Sequence, residues 1–168
     1  MNIHPTKLNN FYLKEATEQD IPLLLAFIQE LADYEKLSDE AKATPESLKK
    51  WMFGSIPYAF GLIGYEQDKP IAFAIYFHNF STFMGKPGIY LEDVFVKPEF
   101  RGKGYGKTIL SFLAKKAVEN DFGRVEWSVL DWNKPSIEFY KSIGAYPMDE
   151  WTVFRLTGEN MRKLAADY

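Results

Sequence analysis

One segment constrains the fold more than any other: Arg101-Gly102-Lys103-Gly104-Tyr105-Gly106-Lys107-Thr108. It follows the apolar run Val94-Phe95-Val96 and opens a helical stretch, 106–120, whose Ile109, Leu110, Leu113, Ala114 and Ala117 are expected to face inward. A further apolar run, 124–130, reads as the next strand. Strand, glycine turn, helix, strand implies a parallel crossover. Alternate glycines let the backbone turn tightly and bring N–H groups close to a ligand. Those groups then lie at a helix N-terminus, where the macrodipole favours an anion. Arg101, Lys103 and Lys107 add cations for phosphate oxygens. The segment therefore predicts a pyrophosphate site. It is not a Walker loop, because the first glycine of Gly-x-x-x-x-Gly-Lys-Thr would have to stand at Arg101. The Gly-x-Gly-x-Gly spacing and its late position also disfavour the dinucleotide fingerprint.

Ahead of this crossover the chain reads as an antiparallel meander. Residues 1–10 are expected to be a short tail. A first strand covers 11–16, and Thr17 with Asp20 signals a capped helix whose apolar face carries Leu23, Leu24, Phe27, Ile28 and Leu31. Thr44-Pro45 opens a second helix ending near Gly54. Runs at 59–65 and 71–80 flank the turn Gln67-Asp68-Lys69-Pro70, so they form a hairpin. Gly85-Lys86-Pro87-Gly88 reads as a second turn and 89–97 as the next strand. After the crossover, 135–143 reads as a short helix stopped at Gly144, 151–156 as a closing strand, and Thr157 as the cap of a last helix reaching Ala166. The expected class is α/β in a single domain, 1–168: an antiparallel N-terminal meander joined to a parallel βαβ core, flanked by helices.

Composition removes several function classes. The chain has 168 residues, enough for one core without staples. There is no cysteine, which removes disulfides, thiolate metal sites and a cysteine nucleophile. His4 and His78 are the only histidines, so neither a Ser-His-Asp triad nor a His-based metal site is expected. The net charge of −3 does not suit nucleic-acid binding. No apolar stretch is long enough for a membrane span, and the N-terminus lacks a signal core, so a cytoplasmic setting is expected.

Arg101-x-x-Gly104-x-Gly106 resembles the acyl-CoA pyrophosphate loop of the GNAT family of N-acetyltransferases. Leu31-Ala32-Asp33-Tyr34-Glu35, Tyr90-Leu91-Glu92-Asp93-Val94-Phe95-Val96 and Asn133-Lys134-Pro135-Ser136-Ile137-Glu138-Phe139-Tyr140 are similar to segments of its diamine (spermidine/spermine) acetyltransferase subfamily. The resemblance implies a GNAT-like mixed sheet, acetyl-CoA as donor, a primary amine as acceptor and no metal. It implies that backbone groups of Val94, Phe95 and Val96 meet the pantetheine arm and polarise the thioester carbonyl. It places the pyrophosphate on Arg101, Gly102, Lys103, Gly104, Tyr105, Gly106 and Lys107, and the far wall of the cofactor cleft on Asn133 and Ser136.

An alkyl ammonium must lose a proton before it attacks. The resemblance implies Glu92 as the base, acting through water, and Tyr140 as the acid that protonates the departing thiolate. It also marks Tyr34, Glu35, Glu92, Asp93, Glu126, Trp127 and Ser128 as acceptor contacts. Several carboxylates there would attract a polycation. A small polyamine or diamine is the expected acceptor. Thialysine or another lysine-like amino acid is the alternative, and a non-catalytic CoA-binding sensor is a third reading. Direct attack in a ternary complex follows from the lack of a cysteine carrier. The subfamily resemblance further implies a homodimer.

Overall fold

A computed structural model describes residues 2–168. It contains two compact units, one reaching Ser128 and one from Val129 to Tyr168.

The first unit is built on a six-stranded sheet in the order β1 (Ile3–Pro5), β2 (Phe11–Glu15), β3 (Phe60–Glu66), β4 (Lys69–Ser81), β5 (Lys86–Val96) and β6 (Val125–Trp127). Neighbours from β1 to β5 are antiparallel, and β5 and β6 are parallel. Helix α1 (Ile21–Glu35) and helix α2 (Pro45–Met52) precede β3, and helix α3 (Tyr105–Glu119) makes the crossover from β5 to β6. The mixed sheet is thus the one expected from the meander and the glycine-loop crossover.

Cross-strand partners share a face of the sheet. Lys14, Ile63, Phe73 and Phe95 form one such row. Its apolar members join Leu24, Phe27, Leu31 and Met52 of α1 and α2 in one core. The adjacent row, Leu13, Gly64, Ala72 and Val96, turns to the other face. There Phe11 stacks on Tyr105 of α3 at 4.4 Å. Helix α3 buries Tyr105, Ile109, Leu110, Leu113 and Ala117.

Several boundaries differ from the sequence reading. Residues 3–5 are not tail: Ile3, His4 and Pro5 pair with Lys14, Leu13 and Tyr12 as an edge strand. Proline is tolerated on such an edge because one side needs no ladder donor. The first hairpin turns on Gln67 and Asp68, both at positive φ, while Lys69 and Pro70 already belong to β4. Positive φ at both central residues fits the right-handed twist of a two-residue hairpin loop. The second turn spans 82–85, with Gly85 at φ 64°, so Lys86, Pro87 and Gly88 are strand rather than turn. The Thr17–Asp20 box caps a single 3-10 turn that runs into α1. Ala114 is exposed, one step off the buried stripe. β6 is only three residues long, not the seven expected.

The second unit holds helix α4 (Lys134–Ser142) and helix α5 (Gly158–Ala165). Asn133 caps α4, its Oδ1 accepting from the Ser136 amide at 3.4 Å, and Gly144 follows the helix at φ 90°. The strand expected at 151–156 is absent among the described residues: the segment carries no ladder, and Trp151, Val153 and Phe154 are exposed. A strand exists only where an edge accepts its hydrogen bonds, and these residues find none.

Candidate active site

The chemistry-bearing residues of the first unit converge on the C-terminal half of β5. Ile75 of β4 pairs with Asp93, but Tyr76 pairs with Leu91, which leaves Glu92 as an extra residue in a β-bulge. A bulge changes the face that successive side chains take. Leu91 pairs with Tyr76 on the α3 face, whereas Asp93 and Phe95 pair with Ile75 and Phe73 on the α1 face. Glu92 sits at this switch and is exposed. The parallel ladder to β6 ends at Leu91 and Trp127. Beyond it, Asp93 to Val96 keep their β4 partners on one side and, like Glu92, have no strand on the other among the described residues.

The strand leads through a 3-10 turn, Pro98–Phe100, into the glycine loop. Gly102 (φ 80°) and Gly104 (φ 86°) adopt left-handed backbone, and Gly104 is the N-cap of α3 with no capping side chain. Among the described residues none of the amides from 102 to 107 has a hydrogen-bond partner; the next amide, of Thr108, is the first to close a helical bond, to the Gly104 carbonyl. The first turn of any helix leaves such donors. Gly106 lies inside α3, and a Cβ there would meet nothing closer than Val96 Cγ2 at 3.9 Å. Neither backbone nor packing requires a glycine at this position, so the room it leaves is available to a ligand. Row and loop together fit a diphosphate: unpaired N–H donors, a dipole of the right sign and a surface without side chains.

The cations divide. Lys107 is exposed. Lys103 lies 3.2 Å from Glu66, which also accepts from the Tyr105 hydroxyl. Tyr105 is buried against Phe11, so its amide rather than its ring belongs to the loop. The Arg101 guanidinium lies 4.2 Å from the Tyr34 ring centroid, and its Nε donates to the Val96 carbonyl at 2.9 Å. The residue read as a phosphate ligand thus ties the loop to the end of α1.

Glu35, Glu92 and Asp93 form an acidic group. Burial, reinforced by the nearby Glu92 and Glu35 charges, pushes the Asp93 carboxyl up to about 6. Burial also raises Glu35. The charges of Glu92 and Glu35 disfavour ionised Asp93, so a cation beside the group is favoured. The β6 residues divide again. Glu126 accepts from Asn79 at 2.6 Å and lies 2.8 Å from Arg124, so it is held within the sheet. Ser128 shares a hydrogen bond with the Tyr90 hydroxyl at 2.8 Å, and Trp127 is half-buried opposite Leu91.

In the second unit Asn133 is buried as the cap of α4, Ser136 supplies the capped amide, and Tyr140 is half-buried beside Phe139. Sequence reasoning missed the bulge, the Arg101–Tyr34 stack and the Glu66 partner of Lys103. None leaves a local signal. Odd-numbered β5 residues alternate without interruption from Ile89 to Phe95, although their faces swap.

A glycine strand–loop–helix turn with unpaired amides, beside a bulged strand and an acidic group, suits an acyl-CoA-dependent transferase acting on amines. Comparison with known proteins gives the particular family. The acetyltransferase (GNAT) family profile matches residues 24–145, and this chain belongs to that family. It is similar to a thialysine N-epsilon-acetyltransferase of Bos taurus, 38% identical over 164 residues that cover 91% of this chain and 96% of the relative. It is also similar to the human spermidine/spermine N(1)-acetyltransferase-like protein 1, 31% identical, covering 95% of this chain and 24% of that protein. Among solved structures, an integron cassette protein of V. cholerae superposes with a TM-score of 0.78 at 28% identity, covering 93% of this chain and 98% of the other. The diamine-acetyltransferase-like subfamily fits these relatives. The chain is an amine N-acetyltransferase, and members of its family take acetyl-CoA as donor. No helix among the described residues is long and apolar enough to cross a membrane.

Proposed function

We propose that this enzyme acetylates the terminal primary amine of a small acceptor that carries a second cationic group. The observation that carries the reading is the Glu35–Glu92–Asp93 group, in which Asp93 is held up to about 6 by burial and two neighbouring carboxylates. Such a group stabilises an ammonium more than a neutral or acidic acceptor. A lysine-like diamino acid is favoured over a polyamine, because the thialysine enzyme matches across nearly its whole length and the spermidine/spermine-like protein across about a quarter.

Acetyl-CoA supplies an activated acyl group. The chain's own part in the reaction is binding and proton transfer. The amides of 102–107 hold the diphosphate, with Lys107 adding charge. The open edge of Val94, Phe95 and Val96 receives the pantetheine arm. Glu92 takes the ammonium proton through water, and Asp93, Glu35 and Tyr34 orient the acceptor. Tyr140 gives a proton to the leaving sulfur. Without cysteine, direct attack replaces a thioester-linked carrier.

We further propose that both units serve one acetyltransferase domain, that it works in the cytoplasm, and that it acts as a homodimer. The exposed, unladdered 151–156 segment supports the last reading, because an alternating apolar stretch is completed by a strand edge of another copy.

Release of free CoA thiol with thialysine, lysine, ornithine, spermidine, putrescine and simple monoamines tests the proposal. Dibasic acceptors should turn over, with thialysine or ornithine leading. Equal kcat/KM for a monoamine of the same length would overturn it.

A further inference from the structure

A cavity of about 270 Å³ lies under the connection from α2 to β3 and shares no residue with the acetyl-transfer site. Glu15, Tyr76, His78 and Lys116 give it polar walls, and Phe53 and Phe60 an apolar one. Tyr76 is 2% exposed, and its hydroxyl has no hydrogen-bond partner among the described residues. Tyr76 lines the cavity, which is where this hydroxyl can meet a partner. Burial and the Glu15 charge push the phenol up to about 12, which keeps it a donor. His78 is pushed down by burial and by Lys116, which keeps it neutral.

Glu15 is only half engaged. Its Oε2 accepts from Asn2 at 2.8 Å. Its Oε1 lies 3.4 Å from His4 Nε2 and 3.9 Å from Lys116 Nζ. His4 Nε2 is itself buried without a hydrogen bond. The cavity is therefore lined by a hydroxyl donor, by an ammonium and a carboxylate oxygen only 3.9 Å apart, and by an aromatic wall. An anion alone would meet Glu15, and a cation alone would meet Lys116. Water would satisfy the polar atoms but gain nothing from Phe53 and Phe60.

We propose that this cavity binds a free α-amino acid with an apolar side chain. Its carboxylate takes the Tyr76 hydroxyl and the Lys116 ammonium, its ammonium takes Glu15, and its side chain lies on Phe53 and Phe60. The volume sits at the small end of ligand pockets, which suits one amino acid and nothing larger.

Calorimetry on the full chain tests it, with phenylalanine, leucine and methionine set against 3-phenylpropionate and phenethylamine. An amino acid should bind one to one, and the two half-molecules at least about tenfold more weakly, since each meets only one of the two charges. Tyr76→Phe and Lys116→Met should each weaken binding at least about fivefold. Glu92→Gln should leave it unchanged. Should Tyr76→Phe fail to fold, Lys116→Met carries the test, because that side chain is partly exposed. No binding at roughly 10 mM would overturn the proposal. So would a half-molecule binding as tightly as the amino acid, or binding that ignores Lys116→Met and depends on Glu92.

Discussion

Arg101 lays its guanidinium 4.2 Å from the Tyr34 ring centroid while its Nε holds the Val96 carbonyl at 2.9 Å. One side chain thereby joins three elements: the start of the glycine loop, the end of β5 and the end of α1. A lysine could keep the charge but not the planar stack with its fixed hydrogen bond. Arg101→Lys should cost about 1–2 kcal/mol, from one stacking contact and one hydrogen bond. At this chain length that is roughly a 2–8 °C fall in melting temperature. With Tyr34 proposed as an acceptor contact, KM for the amine should rise as well as KM for acetyl-CoA. A rise confined to acetyl-CoA would mean that the side chain serves phosphate alone.

Gly106 separates stability from affinity. It lies in the first turn of α3, and an alanine Cβ there would meet only Val96 Cγ2 at an ordinary 3.9 Å. Gly106→Ala should leave the melting temperature unchanged or raise it, by up to about 1 kcal/mol of helix stabilisation. The added methyl stands where the diphosphate must approach, so the thermal shift produced by acetyl-CoA should fall sharply and KM rise at least about tenfold. Unchanged acetyl-CoA affinity would remove this turn from the cofactor site.

The sheet was legible because its signals are local. The apolar alternation of β3 and β4, the turn at Gln67-Asp68 and the glycine loop each lie within a few residues, and their order already implies the parallel crossover. What was illegible is relational. β1 has three residues with a proline among them, too short for a periodic signal, and exists through its pairing with β2. The stretch 151–156 has strand composition but no ladder among the described residues, which composition cannot supply. In the site, glycine spacing marks the loop, but no spacing records that Arg101 folds back onto Tyr34 or that Glu126 is held by Asn79. The bulge at Glu92 inserts one residue without disturbing the odd-residue pattern, so only the register reveals it.

Asp93 ties stability to pH in an unusual direction. Burial, Glu92 and Glu35 raise its carboxyl from 3.8 to about 6. Between those values the folded state holds more protons than the unfolded chain, so stability should fall as pH rises through this window. Asp93→Asn removes the burden and should raise stability at pH 7 by up to about 3 kcal/mol, flattening the slope between roughly pH 4 and 6. The same charge attracts the acceptor, so wild-type KM for the amine should drop as pH rises past 6, and the asparagine variant should lose that dependence. Denaturant melts and amine KM across pH 5–8 measure both halves. A variant less stable at pH 7 would contradict the like-charge account.

The bulge places Glu92 where β5 changes face, exposed and beside two other carboxylates. A residue held there for packing would alter stability when replaced; one that removes the ammonium proton would alter only turnover. Glu92→Gln is nearly isosteric and should lower kcat about 10²–10⁴-fold, the usual range for a lost general base. The melting temperature and its shift by acetyl-CoA should stay as in the wild type. Tyr140→Phe should lower kcat for a different reason, the loss of the proton donor to the leaving sulfur, and should be milder with a thioester whose thiol is more acidic, since such a thiolate departs without help. Comparing the two variants with a CoA thioester and a more acidic aryl thioester separates the roles. Glu92→Gln should be equally impaired with both donors, and Tyr140→Phe should recover with the second. If neither variant lost turnover, or if both recovered alike, the assignment of base and acid to these two residues would fail.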